Sequence, residues 1–378
     1  MDIASANYTD VSTTGLRLEA KKLIGQKVLL TYGADLFRDK SENSDSTVTT
    51  ITGFGPEPMV DTNTTPSLPY ASYRSVGAFA QGEVEIGPRL TVIGGARFQD
   101  VNAESERTPG LDNTPITKSN SAVVGAFNAI FDLTDDLSVI GSVGRAFRAP
   151  NLIELFFDGP IPEGSGYQAR NPDLEPETSL NFDAGIRYTN SRVALEAFYF
   201  RNTINDGIRA EERGDSIGGM PAYWNVNVDE LFFTGVELSG EVYLPYGFSV
   251  ASSFTHMSQE DAHDANNPIA ETFATKVSGN LRYRHPGSRF WGEYELRVNG
   301  DQKDVDLGTS PIGDVLPGFN VHNLRGGVTL IRTDSGQTGR LGIAVTNLTD
   351  ELYSEFLNAT FFRPEPGRNV TITLGWTF

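Results

Sequence analysis

Residues 370–378 read V-T-I-T-L-G-W-T-F. Val370, Ile372, Leu374, Trp376 and Phe378 fall on one face of an extended chain, and Thr371, Thr373, Gly375 and Thr377 on the other. Side chains of a strand point alternately to its two faces. The stretch therefore predicts a strand whose faces meet different media. A strand of a soluble sandwich alternates too, so recurrence has to decide. Leu341, Ile343 and Val345 alternate with Gly342, Ala344 and Thr346. Val277, Gly279, Leu281 and Tyr283 alternate with Ser278, Asn280, Arg282 and Arg284. Phe290, Tyr294, Leu296 and Val298 lie opposite Trp291, Glu293, Glu295 and Arg297. A packed core does not accept a second face built of Glu and Arg, whereas a water-filled lumen does.

Extending this reading to the whole chain gives about fifteen strand-like segments. They are 15–23, 27–40, 71–87, 89–106, 119–133, 137–148, 178–190, 191–210, 225–244, 246–260, 271–285, 288–303, 318–332, 339–350 and 367–378. Short connections such as Gly87-Pro88, Thr134-Asp135-Asp136 and His285-Pro286-Gly287 carry the residues that supply turn dihedrals. They alternate with long polar, acidic links at 41–70, 107–118, 149–177, 211–224, 261–270, 304–317 and 351–366. Short turns on one rim and long loops on the other predict an all-β, transmembrane antiparallel β-barrel. Tyr243, Tyr246, Trp291, Trp376 and Phe378 stand near strand ends and are candidates for interfacial girdles.

Composition bounds the alternatives. With 38% hydrophobic residues the chain has no apolar run long enough for a membrane-spanning helix, but a barrel needs none. It has no cysteine, which removes disulfides, thiolate metal sites and cysteine nucleophiles. A net charge of −19 argues against general nucleic-acid binding. Residues 1–6 have neither a basic stretch nor an apolar core, so they are not a secretory signal peptide.

The central links carry the informative motifs. Gly144-Arg145-Ala146-Phe147-Arg148-Ala149-Pro150 is followed by Asn171-Pro172-Asp173-Leu174-Glu175-Pro176. Near the end come Val345-Thr346-Asn347-Leu348-Thr349-Asp350-Glu351-Leu352-Tyr353 and Pro366-Gly367-Arg368. Phe147, Arg148, Ala149 and Pro150 with Asn171, Pro172, Asp173 and Leu174 resemble the paired boxes of TonB-dependent outer-membrane receptors. The terminal strand, with Trp376 and Phe378, resembles the C-terminal insertion signal of outer-membrane barrels. The resemblance covers residues 1–378 as barrel. It implies a 22-stranded barrel filled by an N-terminal plug, worked by the TonB complex and inserted into outer-membrane lipid by the barrel-assembly machinery. The chain shows no plug-like segment and no TonB box. With Phe378 at the periplasmic rim, an odd number of strands starts the chain on the outer side. Both observations, with the missing signal peptide, lead to the expectation that upstream sequence lies outside this chain.

Physically, Pro150 ends a strand because it cannot donate a ladder hydrogen bond. Asn171-Pro172 and Glu175-Pro176 hold the return path extended. Arg145, Arg148 and Arg170 are placed to pair with Glu154, Asp173, Glu175 or Glu177, and the cluster is read as shaping the loop.

The resemblance implies a receptor in the cell outer membrane that takes up a small ligand, with a ferric siderophore favoured. Haem or cobalamin reception and a passive porin-like channel are the alternatives. No histidine lies at 151–170, which leaves Tyr167 as the candidate iron ligand there. Arg282, Arg284 and Arg297 are candidate lumen-facing contacts for an anionic ligand. His256 and His263, near Glu260, Asp261 and Asp264, match no standard metal spacing, so no metal and no cofactor are expected. No Ser–His arrangement with a recognisable motif appears, and no enzyme activity is expected.

Overall fold

The structure is a computed structural model and describes residues 2–51, 59–161, 166–261, 275–303, 315, 317–355 and 364–378. Among the described residues, eighteen strands belong to one sheet. In chain order these are β1 (Asp2–Ile24), β2 (Val28–Ile51), β3 (Met59–Asn63), β4 (Ala71–Ile86), β5 (Leu90–Ser105), β6 (Thr117–Asp132) and β7 (Leu137–Arg148). After a short helix α1 (Leu152–Phe156) come β8 (Gly159–Pro160), β9 (Tyr167–Ala169), β10 (Glu177–Thr189), β11 (Val193–Ile217) and β12 (Met220–Tyr243). The last six are β13 (Phe248–Asp261), β14 (Thr275–Arg284), β15 (Phe290–Asn299), β16 (Phe319–Arg332), β17 (Thr338–Thr346) and β18 (Asn369–Thr377). β3, β8 and β9 are short inserts in long links, and the other fifteen correspond one to one with the strands predicted from sequence. Antiparallel pairing joins β1 to β2, β2 to β4 and β4 to β5, and runs unbroken from β12 to β18.

The boundaries depart from expectation where strands run long. β1 covers residues 2–24, not 15–23, and β2 continues to Ile51 with Asp10 opposite Glu42. The predicted link 211–224 is mostly strand, because β11 and β12 meet at a turn of Gly218 and Gly219, both at positive φ. These strands have 23 to 25 residues. A strand crossing a bilayer needs about 9–11. The described side chains of β1 from residue 6 onward are exposed on both faces. Residues 2–14 of β1 are mostly polar or small, so the period-two signal is missing there although the backbone ladder with β2 continues.

The chain divides into two compact units. The first comprises Met1–Asn128, Val143–Leu180 and Ile204–Glu230. Its apolar core is Ala71, Ala103, Leu155, Phe156 and Leu174, with Leu68, Tyr73, Ile116, Leu152 and Ile208 against it. Leu155 and Leu174 are both 0% exposed.

The second unit comprises Ala129–Ser142, Asn181–Thr203 and Leu231–Phe378. Here register sorts the side chains by face. Val250 lies opposite Leu281, which faces Tyr294, then Leu324, Val345 and Val370. One position away, Ser249 lies opposite Arg282, then Glu293, Arg325, Ala344 and Thr371. The first row is an apolar face left open, where Leu374 is 78% and Ile372 66% exposed. In water so continuous an apolar surface favours aggregation, whereas hydrocarbon satisfies it. β14, β15, β17 and β18 have 9 or 10 residues, the length that spans a bilayer.

Trp376 and Phe378 sit at the short-turn end of the apolar face, their ring centroids 6.5 Å apart. Gly339 makes room for Trp376, since a Cβ on it would lie 2.6 Å from the indole. Trp291 departs from its expected girdle place: register sets it opposite Arg284 and Gly327, on the polar face.

Candidate functional site

The paired boxes meet in the first unit. β7 ends at Arg148, and Ala149 and Pro150 are buried. Asn151 then starts α1 as an N-cap. Its side chain accepts the Glu154 backbone N–H at 2.9 Å, and the Glu154 carboxylate accepts the Asn151 N–H at 2.8 Å. This reciprocal capping box stabilises a helix of only five residues. The helix inserts Leu155 and Phe156 beside Leu174, the last residue of the second box.

Glu154 has a second role. Arg148 donates from Nη1 to both of its carboxylate oxygens, at 2.9 and 3.0 Å. The Nε of Arg148 donates to Glu177, whose other oxygen accepts the Ile208 N–H at 2.7 Å. Arg148 thus ties the end of β7 to α1 and to the start of β10. The other anticipated pairs divide differently. Arg170 approaches Asp158 at 3.9 Å, and Glu175 pairs with Lys118 at 3.0 Å.

The second box is held by residues that sequence reasoning missed. Asn171 donates to the Asn225 carbonyl at 2.8 Å and accepts the Asp173 N–H at 3.1 Å. Asn227 accepts the Glu175 N–H at 2.8 Å and donates to the carbonyls of Glu175 (2.9 Å) and Asp206 (2.7 Å). The Asn227 side chain thus stands in for a neighbouring strand, while Asn225 offers its backbone carbonyl to Asn171 and its side chain to the Glu154 carbonyl at 3.4 Å. The available signal was Asn-Val-Asn-Val at 225–228, polar at every second position within a stretch that lacks exposed character.

Tyr167 opens β9, which runs parallel to β12 with Tyr167 opposite Ala222. Burial, with the adjacent Asp158 carboxylate that hydrogen-bonds the phenol, pushes its pKa up to about 12. The phenol therefore stays protonated at neutral pH. Iron ligation would need the phenolate and would break the Asp158 contact.

The three candidate arginines lie on the polar face of the second unit. Arg282 donates to Glu293 at 2.7 Å, and Arg325 pairs with Glu295 and approaches Glu293 at 3.8 Å. Arg297 pairs with Glu355. Arg282 and Arg297 are thus neutralised, while Arg284 has no ion pair among the described residues. Register sets Arg284 two positions from Arg282 on the same face, so the structure does not gather all three around one point.

The third motif closes the wall. Asn347 takes the left-handed conformation at φ 50°, which Asn tolerates better than most residues. Its N–H donates to Asn323 at 2.9 Å, and its side chain bonds both ways with the Glu351 backbone at 2.8 Å. Asn323 in turn donates to Glu295 at 3.1 Å. The motif thus turns the chain after β17 and anchors the polar wall.

Of the sequence's histidine cluster, His256 hydrogen-bonds Thr275 at 2.9 Å, and His263 lies outside the described residues. No metal-binding cluster occurs among the described residues.

Comparison with known proteins is consistent with this architecture. The family model described as TonB dependent receptor-like, beta-barrel matches residues 2–348. The iron-regulated outer membrane virulence protein of Vibrio cholerae is 28% identical over 260 residues, covering 66% of this chain and 38% of that protein. The ferric enterobactin receptor PirA of Pseudomonas aeruginosa is 24% identical over 308 residues, covering 72% and 39%. Among solved structures, the copper transporter OprC superposes with a TM-score of 0.77 at 21% identity, covering 98% of this chain and 57% of that one. The chain thus spans less than half the length of these two curated relatives.

Proposed function

Because the chain belongs to the TonB dependent receptor-like β-barrel family of the outer membrane, we propose that it forms the barrel wall of a receptor that takes up a ferric siderophore or a similarly scarce nutrient. The supporting observation is the family match over 2–348, joined to relatives whose names specify iron regulation and ferric enterobactin. The two-faced register of β12–β18 agrees with it: a polar wall of Arg and Glu suits passage of a charged solute, and an apolar face suits lipid. In this reading the TonB complex supplies the work in the full-length receptor. The barrel-assembly machinery reads the strand ending at Phe378, and the function is transport without catalysis.

The paired boxes serve as scaffold. Arg148, Glu154 and Glu177 fix the path of the long link, and Leu174 locks it to the wall. Arg282, Arg284 and Arg297 are the proposed ligand-side charges. Tyr167, held as a phenol, serves the loop's geometry more readily than iron ligation.

Transport of radiolabelled iron by iron-starved cells producing the complete receptor tests the proposal. Uptake of a ferric siderophore that stops when the proton gradient is collapsed supports it. Flux that ignores the gradient, with steady conductance in a planar bilayer, would replace it with a passive pore. Uptake of haem but of no ferric siderophore would move the assignment to the haem receptors.

A further inference from the structure

The first unit carries two arginines on its outward face that transport leaves unused. Register fixes which face is outward. On β2 and β4 the opposed pairs Val28–Val84, Leu30–Gly82, Tyr32–Ala80, Ala34–Ala78 and Leu36–Val76 form an unbroken apolar row, exposed or half-buried throughout. The other face carries Asp35, held by Arg97 through two hydrogen bonds of 2.7 Å. The apolar row is therefore the lipid side and the ionic face the lumen side. Residues 28–36 of β2 and 76–84 of β4 amount to the length of strand that crosses a bilayer, about 9–11 residues.

The next outward position on each strand, toward the long loops, is Arg38 on β2 and Arg74 on β4, and register sets the two directly opposite each other. Both are exposed, and neither has an ion pair or hydrogen bond among the described residues. Lys40, the following outward residue of β2, is satisfied by Glu42 at 2.8 Å. The outward carboxylates of β5, Asp100 and Glu104, stand opposite Val76 and Ser72 and pair with neither arginine. β2 and β4 lie inside the sheet, with β1 and β5 on their flanks. A plug inside a barrel lies on the other side of this wall.

Like charges directly opposite on a sheet destabilise it, and these side chains start only about 5 Å apart. Where hydrocarbon gives way to headgroups, a lipid phosphate removes that repulsion. A guanidinium presents a planar fork of donors that matches phosphate oxygens. Two such forks match a phosphate monoester, which carries about 1.5 to 2 negative charges at neutral pH. A diester carries one. Beneath the arginines, Ala34, Ala78 and Ala80 keep the wall low beside Leu36 and Tyr32, leaving a shallow channel along which an acyl chain can lie.

We propose that Arg38 and Arg74 form a headgroup site for a membrane lipid bearing a phosphate monoester, in the leaflet nearer the long loops. The site lies off the solute's path, so it goes beyond the transport reading and rests only on the barrel's place in the membrane.

The test is a titration of the complete receptor, purified in neutral detergent, with dioleoyl phosphatidic acid, followed by native mass spectrometry. One saturable lipid is expected, held at least about tenfold more tightly than dioleoyl phosphatidylcholine, whose diester is masked by its own cation. The double variant R38Q/R74Q should lose at least about tenfold in affinity for phosphatidic acid. Lys22→Gln, on the same outward face but at the short-turn end, should bind as the parent does. Because both arginines are exposed and unpaired, the heat-induced mobility shift on detergent gels should persist in R38Q/R74Q. Should it be lost, the single variants R38Q and R74Q carry the test, each expected to weaken binding. Equal affinity for phosphatidylcholine, or binding indifferent to loss of the arginines, overturns the proposal. So does an equal loss in Lys22→Gln, which would mean general charge attraction. Displacement of the lipid by inorganic phosphate at equal concentration would also overturn it, since the site would then serve a soluble anion. None of these outcomes depends on which solute the receptor carries, so failure of the iron-uptake reading leaves the site standing.

Discussion

Leu174 shows how a motif residue acts through packing. It is fully buried among Leu155, Phe156, Ala71 and Ala103. Leu174→Ala should destabilise the receptor by about 2–5 kcal/mol through lost burial and the cavity left behind. A lower urea midpoint for the vesicle-inserted protein would register this. Arg148 acts through charge instead. Its loss leaves Glu154 and Glu177 facing each other without a cation, and both carboxylates are mostly shielded from water. Arg148→Ala should cost about 1–2 kcal/mol after allowing for partial solvation, and should raise protease cleavage within 149–177. Ferric ligand affinity should change less than about twofold, since the residue is structural in this account. For Tyr167, burial and the Asp158 carboxylate that accepts its hydroxyl proton disfavour the phenolate, so Tyr167→Phe should leave ferric uptake by the complete receptor changed by less than about twofold, measured with radiolabelled iron. The boxes were legible as motifs, and Arg148 was legible as a pairing partner. The roles of Asn225 and Asn227 were not, because the alternation at 225–228 marks polar positions but not their partners, and Asn171 and Glu175 lie more than fifty residues away.

At the scale of elements, the hairpins explain both the successes and the misplaced ends. Within the bilayer each strand meets two media, so alternation is written into β14, β15, β17 and β18. Beyond it, the first half of β1 and the far end of β11 are mostly polar and write no such period, while β12 there buries Ala222, Val226 and Val228 against the rest of its unit. The β16–β17 hairpin adds a shift in register between Thr329 and Ile331, which brings Ile331 opposite Gly339. Gly339 then accommodates Trp376 from β18. Gly339→Val should push the indole aside at a cost of about 1–3 kcal/mol, as overpacking does. The expected readout is a lower temperature for the heat-induced mobility shift on detergent gels.

Across the whole molecule, the apolar face of the second unit demands lipid or detergent. Leu324, between Tyr294 and Val345 on that face, is a sharp probe. Leu324→Arg should destabilise the inserted protein by about 2–4 kcal/mol if it lies near the bilayer midplane. Thr371→Arg, on the polar face of β18, should change stability by less than about 0.5 kcal/mol. Equal costs for the two, measured by urea unfolding in vesicles, would mean that the faces are assigned wrongly.

From its residue order alone the chain yields the class of fold, the number of long strands and the two faces of several of them, because a strand in a membrane wall must repeat with period two wherever hydrocarbon meets water. The motif boxes also stand in the sequence, since local turn chemistry needs particular residues at particular places. The bonding partners of those boxes and the true lengths of the projecting hairpins arise only on folding. Each depends on strand register, which brings together residues that share no local sequence pattern. Phe378 ends the stretch from which the fold was read, and Trp376, two residues earlier, relies on a glycine in the neighbouring strand that only the pairing of β17 with β18 reveals.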